Sequence, residues 1–197
     1  MPQPQQQPQQ QISEQEYLDG ELLSEVKHEF IDGSVYAMAG ASADHGRIAG
    51  NLFAAFLRHL QEQKSPCEPF QADMKVKAGT KYFYPDVLIS CEQEENDYYR
   101  NAPLLIIEVV SQSTRKKDNT IKRQSYQTLP ILEEYVLIEQ NFVDVEVCRR
   151  SKHWWPEHYY LGDTVHFAPI DLFLSVEDIY ARVMNDDMQA HRKSITP

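Results

Sequence analysis

The apolar positions change period along the chain. Ile48, Leu52, Ala55, Phe56 and Leu60 recur at helical spacing, which predicts an amphipathic helix over residues 45–61, with Pro66 ending the helical region. Upstream, Glu29-Phe30-Ile31-Asp32-Gly33-Ser34-Val35-Tyr36 places Asp-Gly between apolar and aromatic residues and predicts a hairpin. Ser13 with Glu16 three residues on has the form of a capping box, so a short helix is expected to start there. Short strands are expected at residues 69–76 and 85–90, then a loop over the acidic and aromatic residues 92–100. Leu104-Leu105-Ile106-Ile107-Glu108-Val109-Val110 is the most hydrophobic run and reads as a central strand. A polar turn at residues 111–114 leads into a predicted helix over 116–129, closed by Pro130. Strands are expected at 134–139, 143–149 and 163–167, with a last helix starting around Ser175. No internal repeat is evident. This succession predicts an α/β fold, a mixed β-sheet flanked by helices.

Composition narrows the classes. The 197 residues, 42% hydrophobic, suit one domain, expected over residues 13–197. Residues 1–11 are almost entirely Gln and Pro, so residues 1–12 are expected to form a disordered low-complexity tail. That tail lacks the basic and apolar regions of an export signal, and the default expectation is a cytoplasmic protein. No apolar run approaches the roughly 20 residues of a membrane helix, so no membrane role is expected. Cys67, Cys91 and Cys148 are widely spaced and odd in number, and all three are expected to be reduced. A net charge of −11 argues against a passive high-affinity nucleic-acid binder but leaves room for a site of clustered carboxylates. The absence of a nucleophile elbow, a Walker loop and GxGxxG disfavours hydrolase triads, NTPases and dinucleotide enzymes.

One feature carries chemistry. Asp86 opens the apolar strand Val87-Leu88-Ile89, and Glu108 lies inside the central one. An ionised carboxylate in such a strand is costly unless it is paired or binds a metal. On neighbouring strands the two would converge at one end of the sheet, where two carboxylates with water and a phosphate oxygen make a natural Mg²⁺ site. Alternatively, either acid could end a strand in solvent or pair with an arginine.

Tyr84-Pro85-Asp86-Val87, Ile107-Glu108-Val109-Val110-Ser111-Gln112-Ser113-Thr114-Arg115 and the stretch 118–126 (DNTIKRQSY), with His28-Glu29-Phe30-Ile31-Asp32-Gly33 and Glu134-Tyr135-Val136-Leu137-Ile138-Glu139, span nearly the whole chain after residue 12. In these the chain resembles the Uma-two family of restriction-type endonucleases, common in cyanobacteria, within the PD-(D/E)XK nuclease superfamily. The resemblance implies a restriction-endonuclease-like fold and metal-assisted phosphodiester hydrolysis, with DNA the expected substrate, Mg²⁺ the cofactor and Mn²⁺ an alternative ion. It matches Asp86 and Glu108 to the metal carboxylates and the Val109 carbonyl to a further metal ligand. Val110 stands where the superfamily usually has its lysine, and Lys122 on the following helix matches the relocated lysine, to orient water and stabilise charge on phosphate. Glu29 matches an early carboxylate counted with the catalytic set, and Asp73 a polar position that completes the site. His45 and Tyr126 are accessory, Tyr126 lying one turn beyond Lys122. A homodimer is expected by analogy with nucleases of this fold.

A catalytically silent binding or assembly module fits the acidic charge and the displaced lysine, and hydrolysis of a smaller phosphoester is a third option. The basic clusters Arg115-Lys116-Lys117 and Arg149-Arg150-Ser151-Lys152 either contact a nucleic-acid backbone or are surface charge. Trp154-Trp155 either stacks on bases or, the preferred reading, packs against the sheet or a second copy.

Overall fold

The hydrophobic run of β8 (Pro103–Val110) is buried on both faces, and the rest of the fold, a computed structural model that describes residues 11–195, is arranged around it. β8 pairs antiparallel with β6 (Val87–Ser90) and parallel with β9 (Glu134–Glu139). With β3 (Glu68–Gln71), β10 (Val145–Arg149) and β11 (Pro156–Tyr159) they form a six-stranded mixed sheet ordered β11-β10-β9-β8-β6-β3. On one face, Leu105, Ile107 and Val109 meet Ile48, Leu52, Phe56 and Leu60 of helix α2 (Ala43–Glu62). On the other, Ile106 and Val110 meet Leu88, Tyr126, Tyr135 and Leu137. This double burial is why β8 shows no alternation.

Between β8 and β9 the chain crosses over through α3 (Arg115–Lys117), one π turn (Asp118–Lys122) and α4 (Arg123–Tyr126). A second sheet, ordered β2-β1-β5-β4-β7, contributes Val76 and Phe83 to that same core. Its strands are β1 (His28–Ile31), β2 (Ser34–Ala37), β4 (Lys75–Ala78), β5 (Lys81–Phe83) and β7 (Tyr99–Arg100). Helix α1 (Glu14–Glu21) has the full capping box of Ser13 and Glu16, and its Tyr17 packs on Phe30 and Tyr82. The chain ends with a hairpin of β12 (Thr164–Phe167) and β13 (Leu172–Ser175), the single turn α5 (Val176–Ile179) and helix α6 (Asp186–Ile195). Among the described residues no helix is long and apolar enough to cross a membrane.

The α/β architecture with a mixed sheet is as expected, and so is the hairpin at Asp32-Gly33. Those two residues have φ of 48° and 89°, the paired positive values a tight two-residue turn requires. Of the expected tail, residues 1–10 lie outside the described residues. Ile12 donates its amide to the Gly33 carbonyl at 3.0 Å and packs on the Tyr17 cluster.

Several local expectations change. The strand expected over 69–76 is two strands in different sheets, because the chain turns at Ala72, with φ of 49°. The helix expected over 116–129 is three short pieces, with the π turn in its middle. Strands β5, β11 and β13 and helix α6 were not anticipated, and Tyr99–Arg100 forms a short strand inside the expected loop. The cysteines were expected to be reduced, yet Cys67 and Cys91 form a disulfide. The register Glu68↔Ser90 explains it, since it sets the two cysteines across from one another just beyond the last strand pair. Cys148 is free and buried, and burial is the main cause of its thiol being pushed up to about 12.

Candidate active site

Register brings the two strand carboxylates together. Val87 pairs with Ile107, and extending that antiparallel register by one residue sets Asp86 opposite Glu108. Glu108 shares its face of β8 with Ile106 and Val110, the side covered by the crossover segment. Asp86 is anchored twice, accepting from the Val109 amide on Oδ2 at 2.7 Å and meeting His45 Nε2 through Oδ1 at 2.7 Å. His45 reaches it from the first turn of α2, where its own amide is held by the N-cap Ser42.

Lys122 enters from the π turn and is buried. Its ammonium lies 2.9 Å from Glu29 Oε1, 3.0 Å from Glu108 Oε1 and 3.4 Å from Asp118 Oδ1. Glu29 comes from β1 in the second sheet, so the cluster is assembled where the two sheets and the crossover meet. Lys117 donates to Glu29 Oε2 at 2.8 Å, and the Tyr126 hydroxyl donates to Glu108 Oε1 at 3.0 Å.

The charges are unbalanced. Glu29, Asp86, Glu108 and Asp118 face two ammonium groups, on Lys122 and Lys117. Burial raises Glu108 well above the ordinary carboxylate range, and the neighbouring acids Asp118, Asp86 and Glu29 add to this against the pull of Lys122. Burial likewise raises Asp118, with Lys122 opposing. For Glu29 burial acts upward too, but Lys122 and Lys117 outweigh it and hold the carboxyl below its usual value. Burial alone would lower Lys122; its three acids reverse that and keep it charged. Any proton the cluster takes up therefore goes to an acid.

Asp86, Glu108, Lys122, Glu29, Tyr126 and His45 are all brought together. Asp73 is not: its side chain is 82% exposed and pairs with Lys27 on the surface. It follows the Ala72 turn, which redirects the chain into the second sheet. Asp118 was missed by sequence reasoning. Its signal was the spacing Asp118, Lys122, Tyr126, which sets three chemically relevant groups on one side of the crossover.

The arginines of the basic clusters are taken up by the fold, while Lys116 stays exposed. Arg115 holds Glu139 through two nitrogens, and Arg149 is buried against Glu134, Glu157 and the His166 carbonyl. Arg150 donates to the Leu132 and Leu129 carbonyls and stacks over Trp154, which itself packs on the core. Trp155 remains exposed.

Among the described residues no three His, Cys, Asp or Glu side chains form a ready cation cage. The donor set nevertheless fits a hard divalent ion that keeps several waters, which needs only one or two carboxylates. Lys122 and Tyr126 both use Oε1 of Glu108, leaving Oε2 without a protein partner among the described residues. The Val109 carbonyl points to the same side of β8 as its amide, toward Asp86. The surplus of negative charge is what such an ion would offset.

This architecture is that of a nuclease-like fold: a solved structure from Anabaena variabilis, titled "a putative nuclease belonging to DUF820", superposes with a TM-score of 0.74 at 18% identity, covering 88% of this chain and 99% of that one. At that identity the likeness speaks for the fold. The chain belongs to the Uma2 family, described as "Putative restriction endonuclease", whose model matches residues 5–177. Two relatives from Synechocystis sp. are similar along most of their length. The uncharacterized protein slr1290 is 30% identical over 86% of this chain and 91% of its own, and the uncharacterized protein sll1609 is 36% identical over 71% and 77%.

Proposed function

We propose that the protein is a metal-dependent endonuclease that hydrolyses phosphodiester bonds in DNA, acting as a homodimer with one such site per copy. The observation that carries this reading is the placement of Lys122 between Glu29 and Glu108, beside Asp86 on the adjoining strand. Asp86, Glu108 and the Val109 carbonyl would hold Mg²⁺ or Mn²⁺. When bound, the ion supplies Lewis acidity to the phosphate and lowers the pKa of water.

The chain's own groups do the rest. His45 and the Val109 amide fix the orientation of Asp86, as outer partners of metal carboxylates do. Tyr126 fixes Glu108. Lys122 stays charged and presents N–H donors to the negative charge that develops on the phosphate and to the attacking water. Glu29 and Asp118 hold that ammonium in place.

A second reading, a silent binding or assembly module, is favoured by one observation. Every ammonium of the cluster is already engaged by carboxylates, and the chain carries −11 overall. Titration of Mg²⁺ and Mn²⁺ into wild type and Asp86→Ala/Glu108→Ala, followed by incubation with supercoiled plasmid, separates the two. Metal binding with nicking, both lost in the variant, supports the nuclease. A wild type that binds no metal and leaves the plasmid intact supports the module.

A further inference from the structure

Beyond the carboxylate cluster, at the carboxyl ends of the parallel strands β8 and β9, lies a shallow cleft of about 470 Å³ lined by Ser111, Gln112, Ser113, Gln140 and Asn141. Such ends are where open α/β sheets bind ligands. The cleft is built onto the site. The Gln140 amide donates to the Val110 carbonyl at 3.2 Å, one residue from Val109, which holds Asp86. The Gln140 side chain accepts from Ser42 at 2.6 Å, the cap of the helix that delivers His45.

The chemistry of this wall differs from that of a phosphate groove. None of its five residues is charged, and the guanidinium of Arg115, two residues after Ser113, is spent on Glu139. What remains is a set of amides and hydroxyls, which recognise neutral donor and acceptor edges. Asn and Gln amides match one base edge in particular, since their donor and acceptor pair with N6 and N7 of adenine. The next residue in the chain after Asn141 is aromatic. Phe142 is 41% exposed, and the Arg115 guanidinium steadies it at 5.6 Å from the ring centre. Aromatic faces of this kind stack on unpaired bases.

We propose that this cleft takes an unpaired adenine next to the scissile phosphate, its edge on Gln112 and Asn141 and its face on Phe142; the placement rests on the nuclease reading above. It supplies affinity that a chain with net charge −11 cannot draw from long-range attraction to phosphates.

The test is fluorescence anisotropy with labelled single-stranded dA, dC, dG and dT oligonucleotides in Ca²⁺. It is run on wild type, Gln112→Ala/Asn141→Ala and Phe142→Ala, with plasmid nicking in Mn²⁺ measured separately. The expected result is dA binding about 10-fold tighter than dT in wild type. That ratio should fall to near unity in the double variant, and Phe142→Ala should weaken all four ligands alike. Equal affinities in wild type, or a dA preference that survives the double variant, overturns the subsite, and wild-type nicking in Mn²⁺ then leaves the nuclease reading standing. An intact plasmid with a dA preference that the double variant removes supports the subsite and overturns the nuclease. No oligonucleotide binding and no nicking overturns both.

Discussion

Replacing Lys122 by Met removes a single positive charge from among three buried carboxylates while keeping most of the volume. The ammonium lies 2.9, 3.0 and 3.4 Å from Glu29, Glu108 and Asp118, all of them buried. Removing one partner of a buried ion pair costs about 3–5 kcal/mol, because the other charge is left uncompensated. For a domain of this size each kcal/mol lowers Tm by about 2–4 °C, so the expected drop is about 6–20 °C near pH 8. The drop should shrink with acidity. Glu108 and Asp118 already have folded-state pKa values above the unfolded ones, and loss of the lysine raises them further. A carboxyl with a raised folded pKa binds more protons folded than unfolded. Its contribution to stability is greatest below the unfolded value of about 4.5 and is lost as pH rises through the folded one. Glu29 in the wild type has the opposite sign: held low by its lysines, it gives stability above its unfolded value that is lost as pH falls. The gap in Tm between wild type and variant should therefore narrow steadily from pH 8 toward pH 5, read by calorimetry or circular dichroism. A variant that melts within about 2 °C of wild type at both ends refutes the idea that Lys122 neutralises this cluster.

Three further expectations use other parts of the molecule. Glu108→Gln removes one acid from a site with too many and should raise Tm by about 2–4 °C while abolishing Mn²⁺ binding by calorimetric titration; a lower Tm would show that Lys122 depends on that charge. Arg149→Met uncovers the buried Glu134 and should cost about 3–5 kcal/mol in chemical denaturation, yet leave nicking per folded molecule unchanged, since this arginine serves the fold; loss of nicking without loss of stability would place it on the substrate. Reduction of the Cys67–Cys91 bond, which spans a sequence separation of 24, should lower stability by about 3 kcal/mol in matched urea titrations; no change would mean the bond does not form in solution.

Asp86 and Glu108 could be found in the sequence because a charge in an apolar strand contradicts its surroundings, and that contradiction is local. The long helix, the Asp-Gly hairpin and the first capping box were legible for the same reason: period, turn chemistry and cap lie within a few residues. Glu29 was not legible on physical grounds and came from the family pattern, because its partners Lys117 and Lys122 belong to a distant segment. The full extent of strand β4, of which the expected strand 69–76 held only the start, was obscured by Lys75 and Lys77. Their ammonium groups lie over the Tyr84 and Tyr82 rings and reach the Tyr84 hydroxyl and Glu14, so a polar-looking run is part of a sheet. Arg115 and Arg149 looked free because the carboxylates that take them up, Glu139, Glu134 and Glu157, are set beside them only by strand register. The disulfide was hidden by that same dependence on register.

The π turn carries a consequence for insertions and deletions. Arg123 donates its amide to the Asp118 carbonyl five residues back, so the crossover holds one residue more than an α-helix of the same span. Thr120 and Ile121, inside the π turn, are exposed. Deleting either lets the segment relax into an ordinary α-helix, in which each residue advances by about 100°. Arg115 would keep its grip on Glu139, and Tyr126 its place in the core, while Asp118 and Lys122 would stand three residues apart instead of four, still neighbours on one face but meeting Glu108 at a different angle. The loss of one surface residue would thus change how Lys122 enters the cluster while the contacts that flank it stay in place. In a homologue shortened at this point the acidic residues can align in full while the lysine that serves them approaches from a different angle.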